Sequence, residues 1–247
     1  KTFWISAMKN ALNKYKLDCK VTCGDLDPSC IGKYISDDFL EMPKTNQENL
    51  KLIIEKLIDR KINIVLPSRD GELIFWSKNK NIFKASGINI IISDIDSIET
   101  CLDKLKFFNF GFTNKFNFVN TNKNIKNIIG DKYVVKEQFG SGAESIGLNL
   151  NLKEAIEHAK YLKNPIFQPF IKGTEISIDA WINNQNKVKG VVLRTRDKIE
   201  NGESQITTTF SDKNIENESI KILEALKLQG PIVLQAILKD NNELVFI

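Results

Sequence analysis

The sequence predicts an α/β region built on an open parallel sheet, followed by an α+β region with largely antiparallel sheets. Over the first hundred residues, continuous apolar runs alternate with segments of helical periodicity, as in parallel sheets covered by helices. Beyond residue 130 short strands dominate, and connections as short as residues 183–186 indicate antiparallel hairpins. The 247 residues suffice for two domains, which we place at residues 1–100 and 101–247.

In the first region, helices and strands follow one another along the chain. The helix predicted over residues 45–60 opens with a capping box formed by Thr45 and Glu48, and its apolar residues recur at helical spacing. A single helix is predicted over residues 94–108, with one apolar stripe formed by Ile95, Ile98, Leu102 and Leu105. The other predicted elements are strands at residues 19–25, 62–68 and 88–94 and a helix at residues 71–86.

The second region reads mostly as strands, with two helices among them. The helices are predicted over residues 151–163 and 214–226, where apolar residues recur at helical spacing. The predicted strands cover residues 132–138, 145–150, 165–171, 174–182, 187–196, 203–210, 230–238 and 242–247.

Composition excludes several classes of protein. The sequence lacks both an apolar run long enough to span a bilayer and a secretory signal, so we expect a cytoplasmic protein. Its 35 basic and 31 acidic residues are scattered, which argues against a nucleic acid partner. The four cysteines match neither a zinc site nor a disulfide scaffold, so we interpret them as reduced thiols. His158, the only histidine, is interpreted as structural.

The segment VVKEQFGSGAESIG places Lys136 on a strand, just before a glycine-rich loop. A P-loop has its lysine after the glycines and a helix next, and the dinucleotide fingerprint also requires a helix after the loop. What remains is a strand–loop–strand hairpin whose loop contains Gly140, Ser141, Gly142 and Ser145. Its amides can close over phosphate oxygens while Lys136 neutralises them, although a purely structural turn explains the pattern equally well.

The segment IFQPFIKGTEISIDAWI favours the phosphate interpretation. Gln168, on its first strand, can pair with a purine edge, and Phe170 and Ile171 supply an apolar wall and free backbone groups. After a turn at Gly173 the chain returns with Glu175, whose carboxylate can accept hydrogen bonds from ribose hydroxyls.

Together these motifs resemble the ATP-grasp superfamily, and most closely its branch that contains the carbamoyl-phosphate synthase large subunit and similar carboxylate–amine ligases. Lys136 with GSGAESIG, the Gln168 to Glu175 segment and LRTRDKIENGES carry the resemblance. Residues 66–104 are similar to the Rossmann-like domain that precedes the ATP-grasp domain in that branch, which is called the pre-ATP-grasp domain. The last two of these residues, Asp103 and Lys104, match an Asp-Lys pair on a helix of that branch. The resemblance also implies a lid subdomain at about residues 110–170.

The resemblance implies roles for individual residues. Lys104 and Lys136 would contact the nucleotide phosphates, and the loop from Gly140 to Ser145 would close over them as a lid. The adenine pocket and ribose contact would come from Gln168, Phe170, Ile171 and Glu175.

The resemblance also assigns two arginines and a glutamine to the groups that react. Arg194 and Arg196, two apart and thus on the same face of a strand, would meet the transferred phosphoryl group or the acyl phosphate. Gln235 would help to hold magnesium.

The sequence departs from the family pattern at several points. Glu137 stands where the family has a proline after the lysine, and Glu144 puts a negative charge in the loop. The principal metal ligands of the family are a Glu and an Asn that follow the final strand, and this sequence ends at NELVFI, about where that Glu would come. We therefore expect the metal-binding edge to be incomplete at the C-terminus and the preceding domain to be incomplete at the N-terminus.

The function implied is an ATP- and magnesium-dependent ligase. ATP would convert a carboxylate into an acyl phosphate, from which an amine or ammonia would displace phosphate. The expected partners are a small-molecule carboxylate and amine and, as a further expectation, a second copy in a homodimer; no membrane or nucleic acid partner is expected. Two alternatives remain open: a small-molecule kinase with the same nucleotide site, and a non-catalytic nucleotide-binding relative.

Overall fold

A computed structural model describes residues 2–140, 145–200 and 203–247 of the chain, except the side chain of Glu203. The chain divides into two compact units, residues 1–92 and 93–247, each described by itself.

The first unit alternates helices with short parallel strand pairs. Strand β1 pairs with β2, and β3 with β4, both in parallel, which confirms the predicted α/β class with parallel pairing. The elements are α1 (Thr2–Lys14), β1 (Thr22–Asp25), α2 (Gly32–Ile35), β2 (Asp38–Glu41), α3 (Leu50–Asp59), β3 (Ile64–Val65), α4 (Leu73–Lys78), α5 (Lys80–Ala85) and β4 (Asn89–Ile90), with 3₁₀ turns at Gln47–Asn49 and Asp70–Glu72.

Two helices of this unit differ from the sequence-based prediction. Asn46 caps the 3₁₀ turn that precedes α3, since its side chain accepts a hydrogen bond from the amide of Asn49 at 3.0 Å. Asn49, the N-cap residue of α3, makes no side-chain cap hydrogen bond, so the predicted Thr45 box is wrong. The helix predicted over residues 71–86 is divided at Asn79, a buried residue whose side-chain amide donates to the carbonyl of Phe75 at 2.9 Å. An asparagine that bonds its own backbone in this way competes with helix continuation.

The second unit contains two larger antiparallel sheets and a hairpin, as the α+β prediction requires. The small sheet has the order β6-β5-β7, and the large sheet has the order β12-β9-β8-β13-β14. The elements are α6 (Ile95–Leu102), α7 (Lys104–Thr113), a 3₁₀ turn (Ile125–Asn127), β5 (Tyr133–Glu137), β6 (Gly147–Leu150), α8 (Leu152–Ala159), β7 (Pro165–Pro169), β8 (Thr174–Ile182), β9 (Val188–Thr195), β10 (Lys198–Glu200), β11 (Glu203–Ile206), β12 (Thr209–Phe210), α9 (Lys213–Ala225), β13 (Gly230–Leu238) and β14 (Leu244–Phe246).

The helix predicted over residues 94–108 is wrong as one element, because it breaks at Asp103. Asp103 has extended backbone angles, and its carboxylate accepts hydrogen bonds from the amides of Leu105 and Lys106 at 2.9 and 3.3 Å. These bonds satisfy amides that a continuous helix would have paired internally, so α7 starts anew at Lys104. The strand predicted over residues 203–210 is likewise two strands, β11 and β12.

Alternation along the strands gives the large sheet one apolar and one polar face. The apolar face packs against α9, and the core there includes Ile176, Ile178, Leu193, Ala236 and Ile222. The opposite face, called the polar face below, carries Glu175, Ser177, Asp179, Arg194 and Gln235.

The small sheet is divided in the same way. Tyr133, Val135 and Phe167 form a buried cluster with Ala155 of α8. Lys136 and Gln168 alternate with these residues along β5 and β7, so they lie on the face of the small sheet that is turned away from α8.

Gly111 in α7 packs directly against the side chain of Phe118. A Cβ atom at Gly111 would lie 2.3 Å from Cγ of the buried Phe118 ring. We expect Gly111→Ala to lower the free energy of unfolding by about 1–3 kcal/mol, even though alanine favours a helix. At Gly190 no described atom lies within 4 Å of an added Cβ, so Gly190→Ala should change stability by less than about 0.5 kcal/mol. Urea unfolding measures both, and a neutral Gly111→Ala would contradict the packing.

Candidate active site

Lys136 lies on the face of the small sheet that is turned away from α8, beside Gln168. It pairs with Ile166 across the small sheet, and Gln168 pairs with Val134, so the two polar side chains are diagonal neighbours on one face. Among the described residues, the Lys136 ammonium forms no hydrogen bond or ion pair. Burial, followed by the nearby positive charge of Lys104, lowers the pKa of Lys136 to about 8, and Glu175 partly opposes the shift. A bound anion would relieve both effects.

Lys104, the first residue of α7, lies where the glycine-rich loop begins. Its ammonium donates to the carbonyl of Gly140 at 2.8 Å and to that of Gln138 at 3.4 Å. Burial lowers the pKa of Lys104, while Asp103 and Glu137 oppose the shift. The structure thus brings the two predicted lysines together beside the loop.

Asp103 and Gln138 fix this arrangement. The buried carboxylate of Asp103 accepts a hydrogen bond from the side-chain amide of Gln138 at 2.9 Å, in addition to the two helix amides. The start of α7 is therefore tied to the end of β5, and Lys104 is held at that junction.

The loop itself is described only at its ends. Gly140 has φ +101°, a conformation that favours glycine. The carbonyl of Ser145 lies 2.9 Å from Nε2 of His158, which supports a structural role for the histidine. Ser141, Gly142 and Glu144 lie outside the described residues.

Glu137 lies on the opposite face of β5 from Lys136. Its carboxylate accepts hydrogen bonds from the amides of Lys163 and Asn164, at 2.6 and 2.8 Å. The residue that replaces the proline of the family therefore fixes the connection between α8 and β7.

Gln168 is buried, with 4% of its surface exposed, and its side-chain amide donates to the hydroxyl of Thr121 at 2.8 Å. Phe170 is 37% exposed and donates its amide hydrogen to the carbonyl of Lys132 at 2.8 Å. The amide of Ile171 has no backbone partner within the described ranges, so it can donate to a ligand. Sequence reasoning missed Thr121, because its contact depends on a residue 47 positions away.

Two arginine–carboxylate pairs lie on the polar face. Nε of Arg194 donates to Oδ2 of Asp179 at 2.5 Å, and its Nη2 donates to Oδ1 at 3.3 Å. Arg196 donates from Nη1 to Glu175 and from Nε to the hydroxyl of Ser204 at 2.9 Å. Glu175, predicted as a ribose ligand, is thus also the ion-pair partner of Arg196.

Both arginines are partly buried and fixed by carboxylates, which reduces the entropy lost when they bind an anion. Sequence reasoning missed Asp179 and Ser204. The alternation of Glu175, Ser177 and Asp179 places three polar side chains on one face and could have indicated Asp179.

Two family models match the chain. The ATP-grasp domain model covers residues 101–247, which is more than half of the sequence. The chain belongs to the ATP-grasp family. A second model, the PylC-like N-terminal domain, matches residues 4–91. No curated protein sequence matches significantly.

Solved structures share the ATP-grasp fold at low sequence identity. The biotin carboxylase domain dimer of 2-oxoglutarate carboxylase from Hydrogenobacter thermophilus, in complex with MgADP, ADP and bicarbonate, has a TM-score of 0.74 and 12% identity over 98% of this chain and 60% of its own. The N5-carboxyaminoimidazole synthetase from Staphylococcus aureus, complexed with ADP, has a TM-score of 0.70 and 18% identity over 96% of this chain and 65% of its own. The VanG D-Ala:D-Ser ligase from Enterococcus faecalis has a TM-score of 0.55 and 17% identity over 74% of this chain and 62% of its own.

These likenesses, all under 25% identity, show the fold alone. The chain spans 60% or less of the length of the first three structures it matches. The superfamily and fold predicted from the sequence are confirmed.

Gln235 is the residue assigned to magnesium. It lies opposite Ser177 on the polar face and is half-buried. Within the described ranges, no group of three or more His, Cys, Asp or Glu side chains can hold a metal ion. Magnesium in nucleotide sites usually keeps waters and phosphate oxygens and takes only one or two protein ligands. The described residues therefore fit a magnesium ion held mainly by the nucleotide, not one held by the protein alone.

In the part of the chain that the structure describes, no helix is both long and apolar enough to cross a membrane.

Proposed function

We propose that this ATP-grasp chain belongs to an ATP- and magnesium-dependent ligase that joins a small-molecule carboxylate to an amine or ammonia. The observation that carries the proposal is the pair of lysines beside the loop. Lys104 is close enough to lower the pKa of Lys136, and the Lys136 ammonium lacks a hydrogen-bond partner among the described residues. Two cations held together in this way fit a polyphosphate.

The proposed nucleotide position follows from the small sheet. Lys104 and Lys136 would neutralise phosphate oxygens, and the loop from Gly140 to Ser145 would cover them. The amide of Ile171 and the Phe170 ring would contact adenine. We propose that Gln168 acts with Thr121 on the purine side, since its amide already donates to that hydroxyl, and that Glu175 contacts the ribose.

The reaction needs positioning and charge neutralisation rather than a protein nucleophile. A carboxylate oxygen of the substrate attacks the γ-phosphorus, the bond to the bridging oxygen breaks, and ADP leaves. The amine nitrogen then attacks the acyl carbon, phosphate leaves, and the amine loses a proton. Arg194 and Arg196 would stabilise negative charge on the transferred phosphoryl group, and Gln235 would be a metal ligand. Magnesium, when bound with ATP, would neutralise phosphate charge.

The structural relatives support this class of reaction. A D-Ala:D-Ser ligase and a carboxyaminoimidazole synthetase are among them, and two of the structures quoted above contain ADP. We also propose that the chain is related more closely to the carbamoyl-phosphate synthase branch than to other branches of the superfamily. The domain boundary near residue 100, a cytoplasmic location and a homodimer also remain predictions; the Hydrogenobacter domain is described as a dimer.

A substrate panel tests the function. The natural full-length protein, given ATP, magnesium and combinations of amino acids and other small acids and amines, is expected to release ADP and phosphate only when an acid and an amine are both present. ADP release with an acid alone, together with a stable phosphorylated product, would support the kinase alternative. Tight ATP binding without turnover for any pair would overturn the ligase proposal in favour of a non-catalytic relative.

The lowered pKa of Lys136 predicts a pH dependence of ATP binding. In the free protein Lys136 loses its proton near pH 8, and phosphate favours the charged form, so ATP affinity should be highest below pH 8. Above pH 8 it should fall by up to about tenfold per pH unit, and binding should take up protons. Calorimetry at pH 8 in buffers of different ionisation enthalpy measures that uptake. Lys136→Met should abolish it, and an unchanged uptake would assign it to another group.

A further inference from the structure

The first unit contains two neighbouring cysteines, Cys23 and Cys30, whereas every residue assigned to ATP belongs to the second unit. Cys23 lies on β1, and Cys30 lies just before α2. The sulfur of Cys23 lies against Gly32, two residues after Cys30, and the Cys30 thiol is close enough to shift the pKa of Cys23. Both residues are partly exposed and free.

The neighbouring backbone holds the two thiols in this position. A Cβ atom at Gly32 would lie 2.4 Å from the sulfur of Cys23, so the glycine leaves room for that side chain to point toward the start of α2. In the loop that precedes Cys30, Asp27 accepts hydrogen bonds from the amide and hydroxyl of Ser29, at 2.8 and 2.6 Å. The amide of Cys30 donates to the carbonyl of Asp27 at 3.1 Å. The loop is a hydrogen-bonded turn that presents Cys30 to Cys23.

We propose that Cys23 and Cys30 form a reversible disulfide by exchange with a low-molecular-weight disulfide. Neighbouring thiols need only a small approach to bond, whereas cysteines held far apart cannot be bridged without movement of the backbone. The bond would close a ring from β1 to the start of α2.

The two cysteines have different parts in the exchange. Burial, followed by the neighbouring Cys30, raises the pKa of the Cys23 thiol to about 11, so Cys23 stays protonated at neutral pH. Cys30 therefore attacks the small disulfide, whose sulfur–sulfur bond breaks, and one small thiol leaves with the proton that Cys30 gives up. Cys23 then attacks the Cys30 sulfur, the mixed disulfide bond breaks, and the second small thiol leaves with the Cys23 proton. Two protein thiols are oxidised and one small disulfide is reduced to two thiols.

Peptide mapping tests the proposal cleanly. Trypsin cuts after Lys20 and Lys33, so one peptide, residues 21–33, contains both cysteines, while Cys19 and Cys101 fall in other peptides. After the folded protein is incubated with glutathione disulfide and alkylated, that peptide should be about 2 Da lighter than its reduced form and unalkylated. Dithiothreitol should restore two alkylation sites.

Two variants and a denatured control complete the test. Cys19→Ser should form the bond at the rate of the unmodified protein, whereas Cys30→Ser should leave Cys23 alkylated. Oxidation in urea should be at least about tenfold slower if the fold holds the thiols together. Stable glutathione adducts on both cysteines, a bond to Cys19, or an equal rate in urea would overturn the proposal.

Discussion

Lys136→Ala is expected to weaken binding of ATP with magnesium by about 10- to 150-fold, or about 1.5–3 kcal/mol. The reason is the loss of a charge-assisted contact to phosphate. The ammonium lies on the face of the small sheet turned away from α8, without a hydrogen-bond partner among the described residues, and its pKa is already lowered by burial. Calorimetry on the natural full-length protein measures the change.

Lys153→Ala is the matched control for this prediction. Lys153 is exposed on α8, the helix that packs against the opposite face of the small sheet, so the variant removes the same charge from the same subdomain. Its ATP affinity should stay within about twofold of the unmodified protein. Equal losses in both variants would indicate a general charge effect, and no loss in Lys136→Ala would remove the phosphate assignment.

Arg194→Ala is expected to lower kcat by about 100- to 1,000-fold, the effect typical of removing one preorganised donor to a charge that develops during the reaction. The dissociation constant for ATP should change much less, because Arg194 is assigned to the transferred phosphoryl group. Rapid-quench measurement of ADP formation, with the acid and amine identified in the panel, separates the two quantities.

Asp179→Asn tests whether the ion pair positions Arg194. The two carboxylate oxygens each accept a hydrogen bond from the guanidinium, whereas asparagine has only one acceptor oxygen and keeps one of these bonds. We expect a smaller loss in kcat than for Arg194→Ala, with the double variant no worse than Arg194→Ala alone. Lys189→Ala, an exposed charge on the same strand, should leave kcat unchanged. Additive losses would show that Asp179 acts independently of Arg194.

The sequence predicted the features that depend on local pattern. Alternating apolar residues in TEISIDAWI identify a strand with two different faces, and the order of Lys136, the glycine-rich loop and Glu175 leads to the ATP-grasp fold. The resemblance to the family singled out Lys104, which the structure places beside the loop, although the helix around it was predicted as continuous with the preceding one.

Partners across the fold were not predictable in the same way. Asp103 caps α7 through local amides, and its carboxylate also accepts a hydrogen bond from Gln138, which is 35 positions away and which the local pattern does not specify. The pairing of Arg194 with Asp179 depends on the register of β8 against β9, which a single strand pattern does not specify. The position of Glu137 likewise follows from a contact with the chain before β7.

The acyl phosphate is the central claim, and isotope transfer tests it most directly. The full-length protein is supplied with ATP, magnesium and the acid–amine pair that releases most ADP, with both carboxylate oxygens of the acid replaced by a heavy oxygen isotope. Our account predicts that one heavy oxygen appears in each phosphate released, because the carboxylate oxygen that attacks phosphorus leaves with it. Phosphate carrying only the oxygen of ATP and water would contradict the account.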